Sequence, residues 1–416
     1  MDGHLTSFLT RVTEEVRELA VVEGETAYLR DPVFPVVRNR VHAEVVKAML
    51  RQGGDPLVGP ILNYVAACQN PDGSYNEIHV NYNEPSALVA AFVGDALLEA
   101  ADRYPHEGVL RKARDFVVAA EKRPGYFLKS SGYTADHLNV DASCGAFLAR
   151  YADRYDDEEA RAAALRAAEN VVRHQREGVY PYAADKGTYP YVFDLPCAHY
   201  QGVTIYYLAK INEVLCDEKI ERSIAEGVRW LAAAQRPDGR FDWSGSGLSF
   251  AYYLSGAYAF AHASFVYASR TDDRYREHAE RSLDRLDEIV RGLAPRWEPG
   301  PWIGLIPAVA TTAKTAALGG YPLKHRAFRF GYGMYRQIAR RRYAETAETG
   351  SFEVFCRLLG IRPSTVEPSK NFPDLFMTSE MLDCLTQSGI WGNHRSTTPL
   401  TEGACTGNHG DCNDAI

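Results

Sequence analysis

Four short stretches of this 416-residue chain gather the side chains able to do chemistry. The first, HVNYNEPS over 79–86, offers Asn81, Asn83 and Glu84. The second, DHLNVD over 136–141, offers His137, Asn139 and Asp141. The third, DLPCAHYQ over 194–201, offers Asp194, Cys197, His199 and Tyr200. The fourth, FAYY over 250–253, offers Tyr252 and Tyr253, with Arg296, Trp297 and Trp302 in the unit that follows. Asn side chains and an Arg can neutralise a carboxylate without competing for the proton on the adjacent carbon. A His or Tyr takes that proton, and a Tyr returns one to the leaving oxygen. His199 and Tyr200 are therefore expected as base and acid, with His137 in reserve, and Asn81, Asn83, Asn139 and Arg296 as neutralisers. Asp141 joins the catalytic candidates, while Glu84, Tyr252, Tyr253, Trp297 and Trp302 read as substrate-binding. Helix capping is the rival reading for any one of them, since Asn83, Asp141 and Asp194 all suit caps or turns.

The elements that must position these residues are repeated. QNPDGSY over 69–75 returns as QRPDGRFDW over 235–243, with weaker relatives EKRPGYF at 121–127 and QREGVYPY at 175–182. RGLAPRW at 291–297 keeps only the terminal aromatic. The starts, 69, 121, 175, 235 and 291, give a period of about 52 to 60 residues,. In each unit a helix ends at Gln or Glu, Pro or Asp-Gly makes a tight turn, and an aromatic anchors it.

Between turns an apolar helix alternates with an amphipathic one. Residues 85–101 precede 108–121, residues 144–151 precede 157–174, 202–214 precede 218–234, and 252–268 precede 274–293. Helices apolar on all sides are buried on both sides, and amphipathic ones show one face to water. Two concentric rings of about six hairpins follow: an all-α chain, an α/α toroid. Residues 40–49 with 56–68 supply an earlier pair, and 307–318 with 328–341 a later one. The expected division is an N-terminal helical extension over 1–39, the toroid over 40–345, and a helical segment with a polar tail over 346–416. That last segment is expected to pack beside the toroid. Loops entering the inner helices converge on one mouth, which is where the four polar stretches lie.

The Q-x-P-D-G-x-aromatic units resemble the QW-type repeats of squalene and hopene cyclases. Similar turns occur in protein prenyltransferase β subunits and in toroid polysaccharide lyases and glycoside hydrolases. The resemblance implies the toroid, while chemistry rests on the cup. A class II cyclase would carry Asp-x-Asp-Asp, which is absent. Asp272-Asp273 opens a charged outer helix and is not a class I metal motif,. The zinc set of the prenyltransferases would fall on Asp194, Cys197 and His199, at a wider Asp–Cys spacing than that family shows. No cofactor is otherwise expected.

Net charge is −8 and the pI about 5.9, which leaves no basic field for nucleic acid,. No run of about eighteen apolar residues is present, so no membrane span is expected, and residues 1–20 read as an amphipathic helix,. A cytoplasmic location is expected. The eight cysteines read as reduced thiols, with Cys405, His409 and Cys412 in a polar tail,. With 25 Tyr against 17 Phe, the cup offers flat faces beside hydrogen-bonding edges, suited to sugars,. The expected function is a carbohydrate-active enzyme with an oligosaccharide or small-molecule substrate, most specifically a uronate polysaccharide lyase or an epimerase sharing its first step. The alternatives are a glycoside hydrolase using Glu84, Asp141 and Asp194, a terpenoid cyclase-like enzyme with an aromatic cavity, and a toroid that binds glycan or peptide without turnover. The sequence leaves the oligomeric state open.

Overall fold

The computed structural model describes residues 3–30, 37–79, 82–185, 198–241, 254–290 and 375–393. Helix α1 (Gly3–Arg17) leads into a hairpin of β1 (Ala20–Glu23) and β2 (Thr26–Leu29). Then come α2 (Asn39–Arg51), α3 (Val58–Ala67), the β3 (Tyr75–His79) and β4 (Tyr82–Ser86) hairpin, α4 (Ala87–Ala100) and α5 (Glu107–Ala119). A short hairpin, β5 (Glu121–Arg123) with β6 (Tyr126–Phe127), precedes α6 (Leu138–Tyr155) and α7 (Glu158–His174). Helices α8 (Ala198–Leu215), α9 (Glu218–Ala234), α10 (Leu254–Ala268), α11 (Tyr275–Val290) and α12 (Leu375–Asn393) complete the described elements. The strands form only two-stranded antiparallel hairpins.

Helices α2, α4, α6, α8, α10 and α12 pack each on the next, and α12 packs back on α2, which closes an inner ring. The apolar helices of the sequence are these inner ones. In α4, for example, every residue except Glu99 is buried. Helices α3, α5, α7, α9 and α11 lie outside and bury one stripe, as the Ala160, Ala163, Ala164, Ala167, Ala168 and Val171 face of α7 illustrates,. Asp157 and Asp217 cap α7 and α9 by accepting backbone N–H groups of their first turns,. The chain is an α/α toroid.

The ring draws on residues outside 40–345. Helix α12, expected to pack beside the toroid, is an inner helix between α10 and α2. Helix α1 packs on α12 and is tied to α11 by Arg11–Asp287 and to the α2–α3 corner by Gln52–Thr13 and Arg17–Asp55. It therefore fills the outer place between α11 and α3. The 307–318 and 328–341 helices lie outside the described residues.

The repeated turn works as a fastener between neighbouring outer helices. Gln69 at the end of α3 donates to Val109 O of α5, Gln175 to Ser223 O of α9, and Gln235 to His278 O of α11. Glu121 plays this part by pairing with Arg166 of α7. The turn glycines Gly73, Gly125, Gly178 and Gly239 all have positive φ and rest on carbonyls of those same helices, at Lys112, Arg166, Glu226 and Arg281. A Cβ at any of them would come within 2.1 to 2.8 Å of the carbonyl oxygen, so glycine is required twice over,. Two residues after each glycine stands a buried aromatic: Tyr75, Phe127, Tyr180 and Phe241.

Candidate functional site at the entrance of the inner ring

The first turns of four inner helices meet at the ring axis. From α2, Arg40 donates through Nε to Glu44 Oε1 at 2.8 Å and through its other arm to Glu380 Oε1 of α12. Its guanidinium lies between the rings of Phe92 and Phe376, 4.4 and 4.6 Å from their centroids,. Glu44 Oε2 accepts from Ser379 Oγ at 2.6 Å. Between α8 and α12 stands α10, whose Gly256 lets His199, Met377 and Glu380 close in. A Cβ there would lie 2.7 Å from Met377 Cε and 3.0 Å from both His199 Cε1 and Glu380 Oε2.

A chain of ring contacts runs outward from this point. His199 meets Tyr200 at 5.0 Å between centroids, Tyr200 meets Tyr182 at 4.2 Å, and Tyr182 meets His137 at 4.7 Å. Three of the expected residues, His137, His199 and Tyr200, are thus brought together through Tyr182, which stands two residues beyond a repeat aromatic. Tyr182 and Tyr200 are half-buried, leaving ring area for a ligand, whereas both histidines are buried. Burial lowers His199 to about 4 and His137 to about 3, so both are neutral at pH 7,.

The other expected residues are distributed differently. Asn139 lies in the first turn of α6, half-buried, with a buried Oδ1 that has no hydrogen-bond partner. Asp141 is fully buried and occupied: Oδ1 accepts from Phe127 N at 2.8 Å and Oδ2 from Asn170 at 3.1 Å. Burial and the neighbouring Asp136 push its carboxyl well above the usual range. In the next two repeats Gln201 and Tyr258 receive the same aromatic backbone N–H, from Tyr180 and Phe241. Asp141 is therefore placed as the α6 member of a repeated fastening. Asn83 is exposed on β4 opposite Ile78, and Glu84 accepts from Ser131 Oγ and Gly132 N on a neighbouring loop. Asn81, Asp194, Cys197, Tyr252, Tyr253, Arg296, Trp297 and Trp302 lie outside the described residues. Among the described residues no group of His, Cys, Asp and Glu could hold a metal ion.

Below the entrance the axis is filled with charge. Lys47 Nζ donates to Asp95 at 3.0 Å and to Asp383 at 2.8 Å, and Lys210 Nζ donates to Asp95 at 2.7 Å. Arg51 grips Glu99 with two bonds, 2.6 and 2.7 Å, and Asp383 Oδ1 at 2.8 Å, while Arg150 joins Asp95 to Glu99. Arg40, Lys47, Arg51, Arg150 and Lys210 balance Glu44, Asp95, Glu99, Glu380 and Asp383 in number. Burial nonetheless raises Glu44 to about 7 and lowers Lys210 to about 8. This plug of paired charge forms a polar floor at the ring axis. None of these residues was among the sequence candidates. Their signal was charge at helical spacing inside apolar helices: 40, 44, 47 and 51 on α2, 95 and 99 on α4, 380 and 383 on α12,.

No protein-family model matches the chain, and no curated protein matches it. Solved structures do. A GH76 α-mannanase from Bacteroides thetaiotaomicron superposes with a TM-score of 0.55 at 12% identity, covering 94% of this chain and 96% of its own. An unsaturated glucuronyl hydrolase specific for heparin gives 0.54 at 12%, covering 72% and 87%. A type II terpene cyclase from Scytonema gives 0.52 at 13%, covering 93% and 99%. At such identities the likeness concerns the fold. These neighbours are α/α-toroid enzymes, most of them carbohydrate-active. No described helix is long and apolar enough to cross a membrane.

Proposed function

We propose that this chain is a carbohydrate-active enzyme that binds an oligosaccharide in the cup and removes the proton beside a uronate carboxylate, as a lyase or an epimerase. The observation that carries the reading is the run of ring contacts from His199 through Tyr200 and Tyr182 to His137, with the Arg40–Glu380 pair beside His199. An imidazole kept neutral by burial is in the state a base needs,. Tyr200 beside it is the proton donor to the leaving oxygen. The Tyr182 and Tyr200 faces suit a pyranose ring, and Asn139 carries an amide at the same entrance. Arg296 and Asn81 remain proposed as carboxylate neutralisers. The carbohydrate-active neighbours support the substrate class. The aspartates of a class II terpenoid acid are missing from the sequence, which weighs against the cyclase reading.

The test is incubation with uronate-containing oligosaccharides while ultraviolet absorbance and reducing ends are followed together. Elimination raises both, and His199→Ala and Tyr200→Phe each lower the rate at least a hundredfold, the scale of acid–base catalysis. Reducing ends formed without absorbance would mean hydrolysis and would overturn the elimination step.

A further inference from the structure

We infer that Glu380 is the residue of the cup floor that reads a ligand hydroxyl, accepting its hydrogen on Oε2. The inference rests on the sugar-binding reading above for the class of ligand, and on the hydrogen-bond accounting of the axis for the residue.

The five acids at the axis present ten carboxylate oxygens, and nine have donors. Glu44 is bonded by Arg40 and Ser379, Asp95 by Arg150, Lys47 and Lys210, Glu99 by Arg51 and Arg150, and Asp383 by Arg51 and Lys47. Glu380 Oε1 is held by Arg40. Glu380 Oε2 is buried and without a partner, on a residue only 5% exposed. A buried carboxylate oxygen without a donor is costly, and Oε2 is the exception among the ten oxygens of these five acids,.

Its position also fits a ligand. Glu380 is the axis acid that shares the Gly256 crossing with His199, the proposed base. Arg40 fixes the carboxylate from behind, and Arg40 is itself fixed by Glu44 and by the Phe92 and Phe376 rings. The free oxygen is thus held in place before any ligand arrives. With Arg40 donating to Oε1, Oε2 is left as an acceptor, so the group that meets it must carry O–H or N–H,. For a uronate this sets the orientation: a ring hydroxyl points to Glu380 and the sugar carboxylate points away from it.

The experiment is crystallographic and calorimetric on the full chain. Crystals are soaked in glycerol and, separately, in D-glucose, both at molar concentration. The expected result is a probe hydroxyl at about 2.5–3.0 Å from Glu380 Oε2. A Glu380 Oε2 bonded instead to His199 or another protein donor, with no probe hydroxyl on it, overturns the inference. D-Glucuronate and D-glucose are then titrated against wild type, Glu380→Gln and Glu99→Gln. Glu380→Gln weakens whichever sugar binds by at least tenfold and Glu99→Gln by less than threefold, because both Glu99 oxygens face Arg51 and Arg150 and Glu99 bonds neither Arg40 nor Glu380,. Equal losses in the two variants also overturn it. The soak requires no turnover, so a hydroxyl on Oε2 stands even if elimination is never seen. An active lyase whose Oε2 is filled by a protein donor would sink this inference alone.

Discussion

Replacing Gly125 by alanine would put a methyl carbon 2.1 Å from Arg166 O and 2.6 Å from Asn170 Cβ, at a φ of +79°. Left-handed backbone costs an L-residue roughly 1–2 kcal/mol. Forcing a methyl into a packed contact adds about 1–3 kcal/mol. Gly125→Ala should therefore destabilise by about 2–5 kcal/mol. Gly24 is the control, since its φ is +62° but nothing lies within 4 Å of its missing Cβ. Gly24→Ala should lose only the backbone part, roughly 1–2 kcal/mol. The difference isolates the docking of the repeat turn on the next outer helix. Urea unfolding followed by far-ultraviolet circular dichroism measures it, provided the slopes of the two variants agree. Gly125→Ala also presses on Asn170, which holds Asp136 and Asp141 at the start of α6. If the two variants unfold within about 0.5 kcal/mol of each other, below the effects claimed, the turn is not a fastener and the account of the repeat is wrong.

Further predictions concern the axis and the entrance. Lys47→Met leaves Asp383 and Asp95 short of a buried cation and should cost about 3–5 kcal/mol; adding Asp383→Asn should recover part of that, and strictly additive losses in a double-mutant cycle would refute the coupling. Asp141→Asn keeps an acceptor for Phe127 N and should be mild, whereas Asp141→Ala orphans that N–H and should cost about 1–3 kcal/mol in the same unfolding assay. His199 has a folded pKa of about 4 against about 6.5 unfolded,. Between those values the unfolded chain binds a proton that the folded one refuses, so this residue's contribution to stability falls as pH drops through the window and is constant above it. The same neutrality predicts that the acid limb of kcat/KM lies near pH 4, and a limb near 6.5 would place the base in a solvated position.

Much of the frame was legible in the sequence because each signal was local. Gln69, Gly73 and Tyr75 in one turn, and their counterparts at 235, 239 and 241, carry their own chemistry of cap, positive φ and anchor. The alternation of α4 with α5, or α8 with α9, followed from burial on two sides or one. The helix that closes the ring was not legible. The α12 stretch LFMTSEMLDCLTQSGIWGN mixes Glu380, Asp383 and Gln387 into an apolar helix, and without their partners Arg40, Lys47 and Arg51, more than 300 residues away in sequence, it read as a satellite. The same distance hid the floor of the cup. A charge inside an apolar helix shows that a partner must exist, and only the fold shows which. Among the site candidates, the entries to α6 and α8 carry His137, His199 and Tyr200, which the fold links by ring contacts through Tyr182. Asp141 was drawn into the set because a buried fastening acid and a catalytic acid look alike in one dimension.

The central claim is that the His199 end of the cup takes a proton from a sugar carbon. The most direct measurement is mass spectrometry and proton NMR of uronate oligosaccharides incubated in deuterium oxide with wild type and with His199→Ala. Deuterium at the carbon beside the carboxylate, in recovered substrate or epimer, or an unsaturated product lacking that hydrogen, is the result expected from wild type and lost in the variant. Cleaved sugars that keep that hydrogen and carry no double bond would contradict the claim.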